Sequence, residues 1–178
     1  MITVISGTNR RGSETHKFAK KYYEILQEKG VEAKFLDLQD IPHDWFFPDM
    51  YSADQQAQSV AALQDEYFFG AEKILYVIPE YNGSFPGALK LFIDAISIRE
   101  YAKNFVGKKA AIAGVASGRA GNLRGIDHLT GVLHHVGSVV MPKALPISAI
   151  KSLYDENGAI NAETTASMEA YMDRLIAF

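Results

Sequence analysis

The ten residues "SGTNRRGSET" at positions 6–15 gather the hydroxyls of Thr8, Ser13 and Thr15, two guanidinium groups and two glycines. That is the chemistry of anion binding. The backbone N–H groups that open a helix have no partner within it and favour negative charge above them. The hydroxyls add donors, and Arg10 or Arg11 can fork onto phosphate oxygens. Gly7 and Gly12 have the spacing of the nucleoside-triphosphate loop G-x-x-x-x-G-K-S/T, but Ser13 and Glu14 stand where the lysine and the magnesium-binding hydroxyl belong. No apolar run ends in a suitable magnesium-binding aspartate. The ligand expected here is a compact, metal-free phosphomonoester. A plain strand–turn–helix connection with a serine cap is the competing reading. Two arginines at a helix start weigh against it, because cations there oppose the helix dipole unless an anion is present.

Two further loops add to this one. In "PEYNGSFPG", Pro79 and Gly83 set the course of the backbone. Gly83 permits positive φ or a close approach to a ligand. Asn82 offers an amide and Tyr81 a ring face or a hydroxyl. In "ASGRAGNLRG", Gly118 and Gly121 let the chain pass near a flat ring, and Arg119 or Arg124 can meet a phosphate of a second nucleotide. Taken singly, these loops also read as a tight turn and a glycine-rich connector. Taken together they describe a phosphate cradle beside a slot for a planar heterocycle, and flavin mononucleotide (FMN) fits both parts.

The elements that must position these loops alternate between apolar runs and helix-period segments, the pattern of an α/β fold with a parallel sheet. "ITVIS" is the first strand, and a helix follows from about Ser13 with Phe18, Tyr22, Ile25 and Leu26 on one face. "VEAKFLDL" alternates apolar and polar residues, which suits a sheet edge. "KILYVIP" is apolar throughout and reads as a central strand; "KKAAIAGVASG" is a fourth strand of small residues. "SVVMPKALPI" is a fifth, placed at an edge by Pro142 and Pro146. Helices through Val60, Leu89, Leu129 and Met168 fall between and after them, the one through Leu89 capped by Ser84 with Pro86 in its first turn. Edge character in the second and fifth strands fits the order 2-1-3-4-5. The expected fold is a flavodoxin-like three-layer α/β/α sandwich with a five-stranded parallel sheet. Its ligand crevice lies at the carboxyl ends of the first and third strands, where the first two loops emerge.

Composition narrows the field. The chain has 178 residues, 48% of them hydrophobic, which suits a single domain spanning residues 1–178. A net charge of −3 and a pI near 5.9 give no nucleic-acid surface. With no cysteine, a disulfide, a thiolate zinc site and a cysteine nucleophile are excluded. The five histidines lack metal-ligand spacing and read as solvated or helix-face residues. "MITVISG" lacks a basic leader, and no apolar run approaches the roughly 18 residues that span a bilayer, so a cytoplasmic protein without membrane contact is expected.

The stretches "ISGTNRRGSET", "VIPEYNGSFPGALKLFIDAIS" and "GVASGRAGNLRGIDHLTGVLHHVGS" resemble, in order and spacing, the NAD(P)H-dependent FMN reductase family, which includes quinone, chromate and azo-dye reductases. The chain departs from the family pattern at Thr8, where serine is usual, and in lacking a proline between Ser117 and Gly118. The resemblance implies that Thr8, Arg10, Ser13 and Thr15 hold the FMN phosphate. It implies that Pro79, Glu80, Tyr81, Asn82 and Gly83 line the isoalloxazine, and that Ser117 and Gly118 close the site. It also implies NADPH or NADH as co-substrate and a ping-pong transfer of hydride to the flavin, then of electrons to a quinone, azo, metal-oxyanion or free-flavin acceptor. A homodimer or dimer of dimers is implied as well. Glu80 is expected to turn its side chain outward, and the aromatic loop "DWFFPDMYS" to pack at a dimer interface. The alternatives are a flavodoxin-type electron carrier, disfavoured by the modest negative charge, and a flavin-binding scaffold without turnover. A phosphoacceptor module is disfavoured because "SGTN" and "PEYN" stand where its aspartates belong.

Overall fold

The run at the start of the chain forms β1 (Ile2–Ser6), every residue of it buried. In the computed structural model, which describes residues 1–178, β1 lies between β2 (Ala33–Asp37) and β3 (Lys73–Pro79). β3 is buried from Ile74 to Pro79 and carries β4 (Lys109–Val115) on its other side. Beyond β4 lies β5 (Val139–Val140); all pairings are parallel, and the order is β2-β1-β3-β4-β5. β2 is half-buried over its first three residues, as an edge strand should be. The order is the flavodoxin-like one expected from the sequence.

Alternate residues of each strand face opposite layers. Val4, Leu75, Val77, Ala111 and Ala113 pack against α1 (Glu14–Glu28) and α6 (Ala162–Ala177). Ile5, Ile74, Tyr76, Ile78 and Ile112 pack against α3 (Gly87–Ile96) and α5 (Leu123–His135). On that second side α2 (Gln58–Leu63) runs on into a wider turn at Gln64–Phe68, and α4 (Tyr101–Phe105) is a short connector. No helix is long and apolar enough to cross a membrane.

Three local departures from the sequence reading have physical causes. The fifth strand divides into β5 (Val139–Val140) and β6 (Leu145–Ile147), which pair with successive stretches of β4. Pro142 cannot donate to a ladder and Lys143 takes φ 58°, so the chain detours between the two pieces. Helix α3 begins at Gly87 with Pro86 as its cap, and Ser84 does not cap it. Ser84 instead closes a two-residue turn with Tyr81 through Tyr81 N–H to Ser84 O at 2.9 Å and the reciprocal bond at 3.0 Å. Asn82 and Gly83 fill that turn at φ 51° and 78°, the geometry Asn-Gly favours. The aromatic loop also splits. Trp45 is buried edge-on against Phe92, its indole N–H donating to the Pro42 carbonyl, and Phe47 packs on the core, whereas Phe46 and Tyr51 are exposed.

Candidate functional site

Gly7 leaves β1 so close to β3 that an added Cβ would sit 2.9 Å from the Val77 carbonyl oxygen. Its own N–H donates to that oxygen at 2.8 Å. Thr8 is buried behind the loop, its hydroxyl 2.9 Å from the Tyr81 hydroxyl and accepting from Arg10 N–H at 3.2 Å. Ser13 caps α1 through His16 N–H to Ser13 Oγ at 3.3 Å. The N–H groups of Ser13, Glu14 and Thr15 donate to no group of the chain. The start of a 15-residue helix therefore offers free donors and the positive end of its dipole. Arg10 lines the space above them and makes no ion pair; Arg11 lies outside it.

The second loop is held to the third by backbone and by one amide. Glu80 N–H donates to the Val115 carbonyl at 3.2 Å. Glu80 is exposed, and its carboxylate bends over its own turn to accept from Gly83 N–H. Asn122 is buried at φ 62° as the cap of α5, accepting from Gly125 N–H at 3.1 Å. Its amide donates to the Pro79 carbonyl at 2.8 Å and the Ile78 carbonyl at 3.3 Å. Asn122 thus fixes the end of β3 to the start of α5, a role absent from the sequence reading although an asparagine before a helix is a cap signal. Gly114 permits the close approach, since a Cβ there would lie 2.2 Å from the Gly121 carbonyl oxygen.

These loops enclose a cavity of about 650 Å³, within the range of roughly 300–1,000 Å³ usual for small-molecule sites. Of the residues selected from sequence, Arg10, Ser13, Thr15, Pro79, Glu80, Tyr81 and Ser117 line it. Thr8, Asn82, Gly83 and Gly118 do not: Thr8 supports Tyr81, the next two shape the turn, and the Gly118 carbonyl accepts from Ala149 N–H at 3.0 Å. A further wall comes from the segment after β6, with Ile150, Lys151, Tyr154 and Gly158. None of the site residues selected from sequence lies in that segment. Here Tyr154 donates its hydroxyl to the Glu14 carboxylate, which Lys17 also holds at 3.0 Å. The Tyr154 hydroxyl and Lys17 keep the Glu14 carboxyl below the usual carboxylate range, and partial burial beside Glu14 pushes the Tyr154 hydroxyl up.

Two histidines have tertiary partners that spacing does not show. His16 Nδ1 pairs with the buried Asp37 carboxylate at the end of β2, and His128 Nδ1 lies 2.9 Å from Ser84 Oγ. No group of three His, Asp or Glu side chains is arranged to hold a metal ion.

The strand order, with a cavity walled by the start of α1 and the ends of β3 and β4, defines a flavodoxin-like α/β protein whose cavity lies where that fold places its ligand crevice. Residues 1–151 match the profile of the NADPH-dependent FMN reductases, an oxidoreductase family, and the chain belongs to that family. It is 30% identical to a 2-hydroxy-1,4-benzoquinone reductase of a Burkholderia species, over 99% of this chain and 94% of that one. It is 27% identical to a quinone reductase of Pseudomonas putida, over 99% and 93%. Among solved structures, the flavoenzyme NAD(P)H:(acceptor) oxidoreductase of Paracoccus denitrificans superposes with a TM-score of 0.78 at 30% identity, covering 99% of this chain and 94% of that one.

Proposed function

We propose that this chain binds FMN in the described cavity and uses NADPH or NADH to reduce a small acceptor, a quinone in the first instance. The observation that carries the reading is the meeting of two kinds of surface in one cavity. One end presents the unpartnered N–H groups of Ser13, Glu14 and Thr15 with Arg10; the other is walled by Pro79, Tyr81 and Ser117. The first suits a phosphomonoester without a metal, and the second suits the face and edge of a flat ring. Bound FMN would supply the hydride acceptance and electron delivery that no side chain here offers.

The chain's own part is binding, orientation and electrostatics. Arg10, Ser13 and Thr15 hold the phosphate, with Thr8 fixing Tyr81 from behind. Ser117, on the cavity wall, has an N–H group that donates to nothing in the chain, so it can meet negative charge on the ring, as a donor of an oxyanion hole does. Asn82 and Gly83 keep the turn that presents Tyr81. The names of the quinone reductases it resembles support the choice of acceptor. Assembly as a homodimer or dimer of dimers is part of the reading, and the exposed Phe46 and Tyr51 support it. A visible spectrum of the purified protein, followed by anaerobic addition of NADPH, is the test. A yellow sample that bleaches, then sustains NADPH oxidation when a quinone is added, supports the reading. A chain that takes up no FMN ends it, and one that binds flavin without turnover is a carrier or scaffold.

A further inference from the structure

Glu14 is the first residue of α1 and lines the cavity immediately beside the N–H groups that receive the phosphate. An acid there has two ways to interfere. Its carboxylate can fold onto the free N–H groups of the first turn, as acidic side chains at helix starts do. Left in place, it repels a dianion. Protonation does not remove the problem, because the surroundings hold the carboxyl below its ordinary range and it stays charged at neutral pH.

The geometry shows where that charge goes. Tyr154 donates to Glu14 Oε2, and Lys17 Nζ lies 3.0 Å from Oε1 and 3.3 Å from Oε2, so both carboxylate oxygens are engaged. Lys17 also sits 5.3 Å from the centroid of the Tyr154 ring, which closes the triangle. Lys17 is one turn along the same helix, but Tyr154 comes from the far end of the chain, beyond β6. Its ring stands 6.2 Å from that of Phe18, and its backbone bridges Ile160. The hydroxyl is therefore delivered by the fold and does not follow the helix.

We propose that Tyr154 and Lys17 hold the Glu14 carboxylate away from the start of α1, so that the cradle stays open to a phosphomonoester. Tyr154 is then a positioning residue for ligand specificity, favouring FMN over riboflavin. The inference rests on the reading that this helix start binds the FMN phosphate. Freed from Tyr154, Glu14 becomes an internal competitor for the same donors. Riboflavin, which has no phosphate, is indifferent to the change.

The test uses the full chain freed of flavin and titrated separately with FMN and riboflavin, following the quenching of flavin fluorescence. Tyr154→Phe keeps the ring and is expected to weaken FMN about tenfold, the scale of one charge-assisted contact, with riboflavin changed less than about twofold. Glu14→Asp, whose shorter arm keeps the charge but cannot reach Tyr154, is expected to show the same selective loss. The Tyr154→Phe/Glu14→Gln double variant is expected to recover FMN binding to within about twofold of the parent, since the competitor is gone. Equal weakening of both ligands, or a loss that persists in the double variant, overturns the proposal and leaves Tyr154 as packing. A parent chain that binds riboflavin as tightly as FMN overturns the cradle itself, and the inference with it.

Discussion

Arg10 is the one arginine on the cavity wall, and it has no carboxylate partner. An unpaired guanidinium at the positive end of a helix is unfavourable unless an anion joins it. Arg10→Ala is therefore expected to weaken FMN by about 1–3 kcal/mol while leaving riboflavin unchanged, as read by fluorescence titration. Unchanged FMN affinity would remove Arg10 from the phosphate end. Asn122 makes the opposite kind of contribution, through structure alone. Its amide is buried, so Asn122→Ala strands the Pro79 carbonyl and the Gly125 N–H without partners. Each stranded buried group costs about 1–3 kcal/mol, and chemical denaturation should show a loss of that order. A flavin affinity that falls with it would show that the tie between β3 and α5 holds the ring wall in place.

At the scale of elements, legibility followed locality. The cradle could be read because an apolar strand, a glycine, a hydroxyl cap and an amphipathic helix stand in one unbroken stretch, and each leaves a local signal. The paired turn at Tyr81–Ser84 was half legible: Asn-Gly marks it, yet the same residues pass for a helix cap, and Pro86 took that role. The wall after β6 was not legible, because Ile150, Lys151 and Tyr154 carry no motif and reach the site through tertiary pairing: β6 lies beside β4, and the Ala149 and Ile150 N–H groups donate to the Gly118 and Ala116 carbonyls. The same holds for His16 and Asp37, 21 residues apart and joined across α1 and β2. That pair makes a prediction about the element it anchors. Asp37 is buried and also accepts from Gln39 N–H, so its carboxylate cannot turn to solvent when the histidine is removed. His16→Ala should lower stability by about 1–3 kcal/mol and loosen the first turn of α1, seen as a lower melting temperature and faster amide exchange there. A melting temperature equal to the parent's would make the pair a surface contact of no consequence.

Across the whole molecule, the strand order was legible from edge character, and both core layers follow from the alternation of strand residues. The placement of phenols within those layers was not, and it governs behaviour in alkali. Tyr22, Tyr76 and Tyr171 are buried, and the Tyr22 hydroxyl meets no partner. Burial pushes all three phenols up, Tyr171 to about 12, and Tyr154 is raised by burial and by Glu14. The folded chain thus keeps phenolic protons that the unfolded chain releases near pH ~10. By linkage, their contribution is fully present below that value and is lost as pH rises through the folded values. Lys108 acts in the opposite sense: desolvation lowers it, so the unfolded chain binds that proton more readily and stability rises with pH as it deprotonates. Tyr67 is raised as well, by burial and by Glu66, and one half-buried lysine cannot offset five raised phenols. The midpoint of urea unfolding should therefore hold steady up to about pH 10 and fall beyond it. The phenolate absorbance of the buried tyrosines should then appear together with the loss of far-ultraviolet circular dichroism, as one cooperative step. Phenolate absorbance that is complete while the helical signal persists would mean that water reaches Tyr22 and Tyr76 in the native state, and that the two core layers are looser than their burial implies.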